Sequence, residues 1–553
     1  MSKPWGGPAR AGLIGALAAA LITLPGLWVG TLWDNSETAY GEVAREILLT
    51  HDWIVMHLNG VPYFVQPPLY FWLGAAFAYF LGPTAFALRL PSALATIALG
   101  AVTGYAVARQ AGTRLGIYTA VILSTCLMQA VIGRLAIMDA LLDLAVAMTI
   151  FWWFRGLETG RDRYVIYGWL AAAAGFLAKG LVAPVVALLV IVPFYLWNRR
   201  CESMKALSPR GWIAGALLFI AIVLPWPLAL FSHYQLFPLE KLIGEYTIAR
   251  YTSVIENQSG PVWYYLPVVI LGFLPWIAFF PAALVYAVRQ LRAVPPEPQR
   301  ARLVRLAFAW IVMPLLFFSF ARTKLPNYIA LEFPALALVT ALYFDDVVRK
   351  GATRSAVISA AIVPVTIGAL AFAIVVFTST NRLTAEVANA VPPLIGMAAA
   401  IFAGSLLTAL LLVRAKTAGA APYALALAAL VAVDVVAVRV LPHAEAFKPV
   451  PRLAALIEQG RKPGDVVAIQ NVSGGNALLF YTHPVVSVLA TPDDGDPQTD
   501  GVDPRAFICG AQRAWVVVPA ASTPSDPSFG RRMRVVAVDR KAALLLYDGR
   551  ACR

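Results

Sequence analysis

Apolar, mostly uncharged runs punctuated by charge recur along most of this chain. They fall near residues 11–33, 88–108, 115–133, 140–155, 164–178, 181–198, 212–232, 262–288, 305–321, 326–344, 355–377, 391–413 and 420–441. Each approaches the length a helix needs to cross about 30 Å of hydrocarbon. In lipid the backbone must satisfy its own hydrogen bonds, which confines such a chain to a bundle of membrane-crossing helices. The sequence therefore predicts a polytopic α-helical membrane protein with about thirteen transmembrane helices. Composition agrees, at 60% hydrophobic and 13% charged residues with mean hydropathy +0.71. The first run reads as an uncleaved anchor rather than a signal peptide, being too long for a usual apolar core and lacking a small-residue cleavage site.

The formal charge of +14 does not indicate nucleic acid, because Lys and Arg lie in short loops between apolar runs. One alternating set of loops holds Lys3/Arg10, Arg109/Arg114, Arg155/Arg161/Arg163, Arg199/Arg200/Lys205, Arg289 to Arg305, Arg349/Lys350/Arg354 and Arg414/Lys416. The positive-inside rule makes that set cytoplasmic and puts the N-terminus inside and the C-terminus outside. The parity holds only if Pro67–Leu81, opened by Pro67-Pro68, lies at the interface or dips in without crossing. The outer side then carries residues 34–87, the Arg134–Asp139 turn, Lys179, the loop 233–261, Arg322/Lys324 and the tail.

Two domains are expected: a membrane domain over 1–441 and a soluble α/β domain over 442–553. In the tail, residues 465–469 and 514–518 read as buried strands, 533–538 and 542–547 as a hairpin, and Asn476–Tyr481 as a short helix. The turn Ser473-Gly474-Gly475 reads as a plain turn and only weakly as a phosphate cradle. Cys509 and Cys552 share this outer domain, where a disulfide is expected to persist.

The chemistry-bearing residues gather on the outer side. Asp34-Asn35-Ser36-Glu37 precedes an amphipathic helix over Glu37–Leu49, predicted to lie on the outer surface; Asp34, Asn35 or Ser36 would cap it, or Asp34 and Glu37 would serve as base or metal ligand. Asp139 reads either as a helix cap or as a second carboxylate. Arg134 and Lys179 read as snorkelling groups or as anion ligands. Arg322 and Lys324 precede a span that Pro326 can start; on the outer face they gain nothing from the cytoplasmic charge bias, and an anionic ligand accounts for them. The five histidines have no metal-site spacing.

Several segments resemble bacterial phospholipid-carrier-dependent glycosyltransferases of the GT-C class, within the protein mannosyltransferase superfamily, and the aminoarabinose (lipid A) transferases in particular. They are Trp33–Trp53, His57–Trp72, Leu88–Leu94, Arg134–Leu142, Leu177–Gly180, Trp263–Pro267 with Leu274-Pro275-Trp276, and Phe317–Pro334, and their order and spacing agree over roughly the first 345 residues. The resemblance implies a GT-C-like fold whose active site faces the periplasm of the bacterial inner membrane, with amphipathic helices in the first outer loop. It implies Glu37, Asp34 and Asp139 as catalytic acids, and Arg134, Lys179, Arg322, Lys324, Tyr40, Tyr63 and Tyr328 as carrier-phosphate or substrate ligands. A divalent cation is a candidate cofactor.

The expected partners are a polyprenyl-phosphate-linked sugar (4-amino-4-deoxy-L-arabinose or another amino sugar or hexose), lipid A or another envelope acceptor, and membrane lipids, with the chain acting as a monomer. This sequence has Ser36 where the family usually has an aspartate, and Val65 and Gln66 where it usually has a glutamate and a lysine. Those departures keep open a catalytically impaired member that only binds the carrier lipid. A flippase or lipid-linked-sugar transporter is the remaining alternative, opposed by the absence of mid-span charges and related halves.

Overall fold

The computed structural model describes residues 6–33, 36–199, 209–255, 258–292, 298–351, 354–363, 365–366, 376, 385–414, 416–472, 475–482, 485–489, 503–522 and 533–548. Asp34, the turn residues Ser473 and Gly474, Cys552 and, within the run 355–377, residues 364, 367–375 and 377 lie outside the described residues. Cys509 is disulfide-bonded.

The chain divides into two units. The first comprises residues up to Leu27, Phe64–Leu73 and Arg89–Val440; the second comprises Trp28–Tyr63, Gly74–Leu88 and Leu441 onward. The second unit differs from the expected tail domain in taking in Trp28–Tyr63 and Gly74–Leu88. Side chains explain the difference: Thr31 donates to Glu445 (2.5 Å), the Leu32 amide donates to the Tyr481 hydroxyl (2.8 Å), and the Lys448 ammonium sits 3.7 Å from the Trp33 ring centre.

The first unit is helical. Among the described residues, six helices are long and apolar enough to cross a membrane: Ala85–Ala111, Asp139–Thr159, Pro298–Phe320, Pro326–Lys350, Ala388–Val413 and Ala418–Phe447. Two bent pairs raise the number to eight. Proline accounts for both bends. The run predicted as one span over 212–232 is Pro209–Val223 followed by Pro225–Tyr234 at 41°, and that over 262–288 is Val262–Gly272 followed by Trp276–Arg292 at 107°. Without an N–H and with its ring against the preceding turn, proline cannot continue either helix. Leu69–Leu81 is a 13-residue helix, about 20 Å long at 1.5 Å per residue and too short to span.

Small residues set the closest contacts of the bundle. A Cβ on Gly15 would lie 2.3 Å from the Gly100 carbonyl oxygen, and one on Gly104 2.6 Å from that of Ala11. Helices in lipid approach through such stripes because hydrocarbon supplies no hydrophobic drive between them. Buried tryptophans tie the other helices: Trp153 donates to the Val165 carbonyl, Trp276 to the Thr125 hydroxyl and Trp310 to the Leu331 carbonyl.

The second unit holds a five-stranded sheet and its helices. Strands β3 (Val466–Ile469), β4 (Val486–Val488), β5 (Ala514–Pro519), β6 (Arg534–Asp539) and β7 (Ala542–Tyr547) run in the order β4-β3-β5-β7-β6. The first three are parallel, and β7 adds antiparallel to β5 and β6. A small hairpin, β1 (His57–Leu58) and β2 (Val61–Pro62), turns on Asn59-Gly60, both at positive φ, as a two-residue hairpin turn demands. Asn59 then uses its amide like a strand backbone, exchanging two hydrogen bonds with Val486 and closing the β4 edge.

Glu37–Thr50 is a helix in this unit, ended by His51 at φ 57°. The sequence placed it on the surface; its charged groups are in fact buried. Arg45 donates twice to Glu42, and the Gly60 amide bonds the Glu46 carboxylate. Ser36 occupies the N-cap position in a helical conformation with no side-chain cap bond. Burial raises the Glu42 carboxyl above its ordinary 4.5 despite the Arg45 partner. The folded state thus holds this proton more tightly than the unfolded chain, so the linked stabilisation is full below about pH 4.5 and is lost as pH rises through the folded value. In Glu42→Gln the melting temperature is therefore expected to fall less between pH 4.5 and 7 than in the parent; an unchanged slope would show that Glu42 does not titrate with folding.

Candidate active site

Two helices of the first unit run antiparallel and bring opposite charges to the same end. Asp139 opens the helix Asp139–Thr159, where a carboxylate suits the positive first turn. Lys179 closes the helix Asp162–Lys179, where an ammonium suits the negative last turn. Gly180, at φ 74°, ends that helix in a conformation L side chains resist. The turn before Asp139 is fixed by Ser92, whose hydroxyl donates to the Ile137 carbonyl at 2.6 Å.

The two charges meet. Lys179 Nζ lies 2.5 Å from Asp139 Oδ1, which also accepts from Asn327 Nδ2 at 2.7 Å. Asn327 and Tyr328 sit on the 3-10 turn Pro326–Glu332, anchored by the bond from Trp310 to Leu331. Lys179 Nζ is 5.3 Å from the Tyr328 ring centre, and the Tyr328 hydroxyl accepts from Arg250 Nη1 at 3.1 Å. Arg250 follows the π-helix Glu240–Ala249 and stacks over Tyr246 at 5.4 Å. The result is a continuous row, Asn327–Asp139–Lys179–Tyr328–Arg250, with two cations and one carboxylate. One turn below Asp139, Asp143 accepts from Gln129 Nε2 at 3.0 Å.

An apolar pocket of about 400 Å³ is lined in part by the helix that ends in Lys179 and by the π-helix that leads to Arg250. Its walls include Phe176, Val223, Leu228, Phe231, Leu239 and Leu242. Phe176 lies three residues before Lys179 on the same helix, and Leu242 and Ile243 lie on the π-helix that leads to Arg250. Phe64 stacks edge-on against Tyr234 and Phe237 beside it. An apolar cavity lined by the elements that carry two cations suits a ligand with a hydrocarbon tail and an anionic head.

The structure separates the basic residues that sequence had grouped. Arg134 donates to the carbonyls of Ile22 (2.9 Å from Nε, 2.5 Å from Nη2) and Pro25 (2.5 Å), and pairs with Asp434 at 2.9 Å. Its guanidinium is spent on the end of the first helix, where orphan carbonyls need donors. Lys324 donates to the Ser319 carbonyl at 3.0 Å and to that of Ala321, closing the helix Pro298–Phe320 in the same way. Burial, with Arg322 nearby, lowers its pKa below the usual lysine range. Arg322 is exposed, its backbone amide bonding the Tyr251 carbonyl. Arg250 escaped the sequence reading. The signals for it were weak: Tyr246 and Arg250 one turn apart in a loop that also carries Glu240, Lys241 and Glu245.

Glu37, Tyr40 and Tyr63 belong to the second unit. Glu37 is 1% exposed and accepts the Trp33 amide at 2.8 Å. Tyr40 and Tyr63 are half-buried, and the Tyr63 amide bonds the Met56 carbonyl at 2.8 Å. For the candidate cation, no three His, Cys, Asp or Glu side chains among the described residues come together to hold a metal ion.

Residues 65–228 match the family model described as dolichyl-phosphate-mannose-protein mannosyltransferase. The chain is 33% identical over 362 residues to the undecaprenyl phosphate-alpha-4-amino-4-deoxy-L-arabinose arabinosyl transferase of Yersinia enterocolitica, covering 63% of this chain and 61% of that protein. The enzyme of the same description from Aeromonas salmonicida is 33% identical over 336 residues, covering 59% of this chain and 58% of that one. The chain thus spans about 60% of the length of these relatives. Among solved structures, ArnT from Cupriavidus metallidurans bound to undecaprenyl phosphate superposes over 97% of both chains with TM-score 0.76 at 23% identity, which speaks for the fold. The archaeal oligosaccharyltransferase AglB from Archaeoglobus fulgidus covers 94% of this chain and 70% of its own, with TM-score 0.51 at 11% identity. By sequence over 63% of its length the chain is similar to the aminoarabinose transferases, and over 97% of it the chain shares the fold of ArnT, a polytopic helical membrane fold.

Proposed function

We propose that this chain is a glycosyltransferase of the bacterial inner membrane that moves 4-amino-4-deoxy-L-arabinose from undecaprenyl phosphate to a phosphate of lipid A. One observation carries the reading: the apolar pocket is lined by the helix that ends in Lys179 and the π-helix that leads to Arg250, which suits an isoprenoid tail whose phosphate meets those cations. The relatives supply the identity of carrier and sugar, since their descriptions specify both.

The sugar leaves the carrier as its C1–O bond to phosphate breaks, and the negative charge that develops on the departing phosphate is the charge to stabilise. Lys179 and Arg250 do this, held in place by Asp139, Asn327 and Tyr328. Arg322, exposed on the same connecting segment as Lys324, adds positive potential at the entrance. Lys324 and Arg134 shape the backbone that holds the row. An acceptor phosphate is already ionised and needs no strong base, so a serine at position 36 is tolerated. Glu37 and Asp34, three residues before it, with Tyr40 and Tyr63, keep the acceptor-side roles that the resemblance implies. The thirteen-span topology, with the N-terminus cytoplasmic and the tail domain periplasmic, follows from the loop charges; the chain works as a monomer.

The test is reconstitution of purified protein with undecaprenyl-phosphate-linked aminoarabinose and lipid A, read by product mass. A mass gain of one aminoarabinose on lipid A is expected. Leu228→Trp, which fills the pocket, is expected to raise the donor KM by roughly tenfold or more with a smaller change in kcat. Absence of transfer with every carrier-linked sugar offered would sink the enzyme reading.

A further inference from the structure

At the far end of the helix Phe333–Lys350 from Tyr328, about 25 Å away by helix rise, three arginines converge on one carboxylate. Asp345, 2% exposed, accepts from Arg114 Nε at 2.7 Å, pairs with Arg349 Nε at 3.0 Å and also binds Arg300. Arg300 is buried and donates in addition to the Tyr286 hydroxyl at 2.7 Å. The neighbouring Asp346 is already taken by Lys350 at 2.9 Å.

Among the described residues, three guanidiniums meet the one carboxylate of Asp345. Arg300 and Asp345 are both buried and form the inner pair. The outward charges are Arg114 and Arg349, whose side chains are 45% and 47% exposed. Like charges gathered this closely repel unless an anion comes between them. Arginine forks match phosphate oxygens in pairs, where an ammonium would offer only a point charge.

The surroundings say what kind of anion is at hand. The helix carrying Asp345 is a candidate membrane span, so its last turn lies near the lipid headgroups. Tyr118 and Tyr423 sit edge-to-face at 5.7 Å next to Arg114; Tyr118 donates to the Gly419 carbonyl at 2.8 Å, and Tyr423 is 40% exposed. Exposed tyrosine beside paired arginines is the composition of a headgroup-level surface. We propose that Arg114 and Arg349, seated on Asp345 with Arg300 behind, bind the phosphate of an anionic phospholipid on the membrane face opposite the Asp139–Lys179 row.

Purified full-length protein would be titrated with phosphatidylglycerol, phosphatidylcholine or inorganic phosphate, and bound species counted by native mass spectrometry. Phosphatidylglycerol is expected to bind in preference to phosphatidylcholine, and Arg114→Gln/Arg349→Gln to weaken it by roughly tenfold or more. The double variant keeps the Arg300–Asp345 pair balanced, and neither residue belongs to the catalytic row, so transfer activity in detergent is expected to persist. If the double variant does not fold, Arg349→Gln alone, which leaves two arginines on Asp345, is read the same way. Equal phosphatidylglycerol binding in parent and variant, or equal retention of phosphatidylcholine, would overturn the site. Displacement of the lipid by inorganic phosphate at comparable concentration would overturn the lipid assignment and make free phosphate the ligand.

Discussion

Lys179→Met is expected to lower transfer by roughly 10²–10³-fold, the usual cost of removing one preorganised group aimed at developing charge. The same substitution leaves Asp139, 4% exposed, with Asn327 as its remaining side-chain donor among the described residues. Breaking a buried pair by removing one partner costs about 3–5 kcal/mol, so a lower melting temperature accompanies the lost activity. The two effects are separable. Lys179→Met/Asp139→Asn removes both charges and is expected to recover most of the melting temperature while remaining inactive. Recovery of activity along with stability would mean that Lys179 matters only as a structural partner. Lys179→Arg, which keeps the charge but changes its shape, is expected to fall between parent and Met variant.

Arg134→Ala and Arg250→Ala are expected to diverge in opposite directions. Arg134 serves the Ile22 and Pro25 carbonyls and Asp434 together. Its loss strands carbonyl acceptors at a helix end and a carboxylate inside the bundle, about 3–5 kcal/mol by analogy with other broken buried pairs. Folded yield and melting temperature should therefore drop, while the molecules that fold keep their affinity for the carrier. Arg250→Ala removes a cation from the row without uncapping a helix, and is expected to cost transfer by roughly tenfold to a thousandfold with little change in melting temperature. Thermal melts and steady-state kinetics on both variants check the contrast. A stable, inactive Arg134→Ala protein would return Arg134 to the phosphate.

The helical membrane architecture could be read from the sequence because lipid imposes a length and an apolarity on every span. The bends could not, since Pro225 and Pro275 sit inside runs whose average hydropathy hides them. The site was half visible. Asp139 and Lys179 stood out as charged groups at the ends of apolar runs, and the resemblance implied Tyr328. Their union was hidden, because Asp139 and Lys179 stand 40 residues apart and only an antiparallel pair of helices joins them. Arg134 and Lys324 looked like ligands for the same reason that Lys179 did; carbonyls at helix ends leave no trace in a linear pattern. Arg250 lay in a loop where nothing marked it, and a π-helix has no sequence signature comparable to a helical stripe. Glu37 drew notice as an acid beside a membrane run, but its bond to the Trp33 amide depends on a local turn that composition does not report.

The Asp139–Lys179 pair also bears on the order in which the chain can assemble. Both partners lie within one pair of consecutive helices, so they need no other part of the bundle to find each other. A nascent chain that has inserted residues 139–179 already holds this contact, and the loop it closes is short compared with those that bring in Asn327 and Tyr328. Local contacts form early, and distant ones wait for the chain between them. Two charges that would each be costly to leave alone at the edge of the bilayer are therefore neutralised during synthesis, and the later helices arrive at an acid and a lysine already in register.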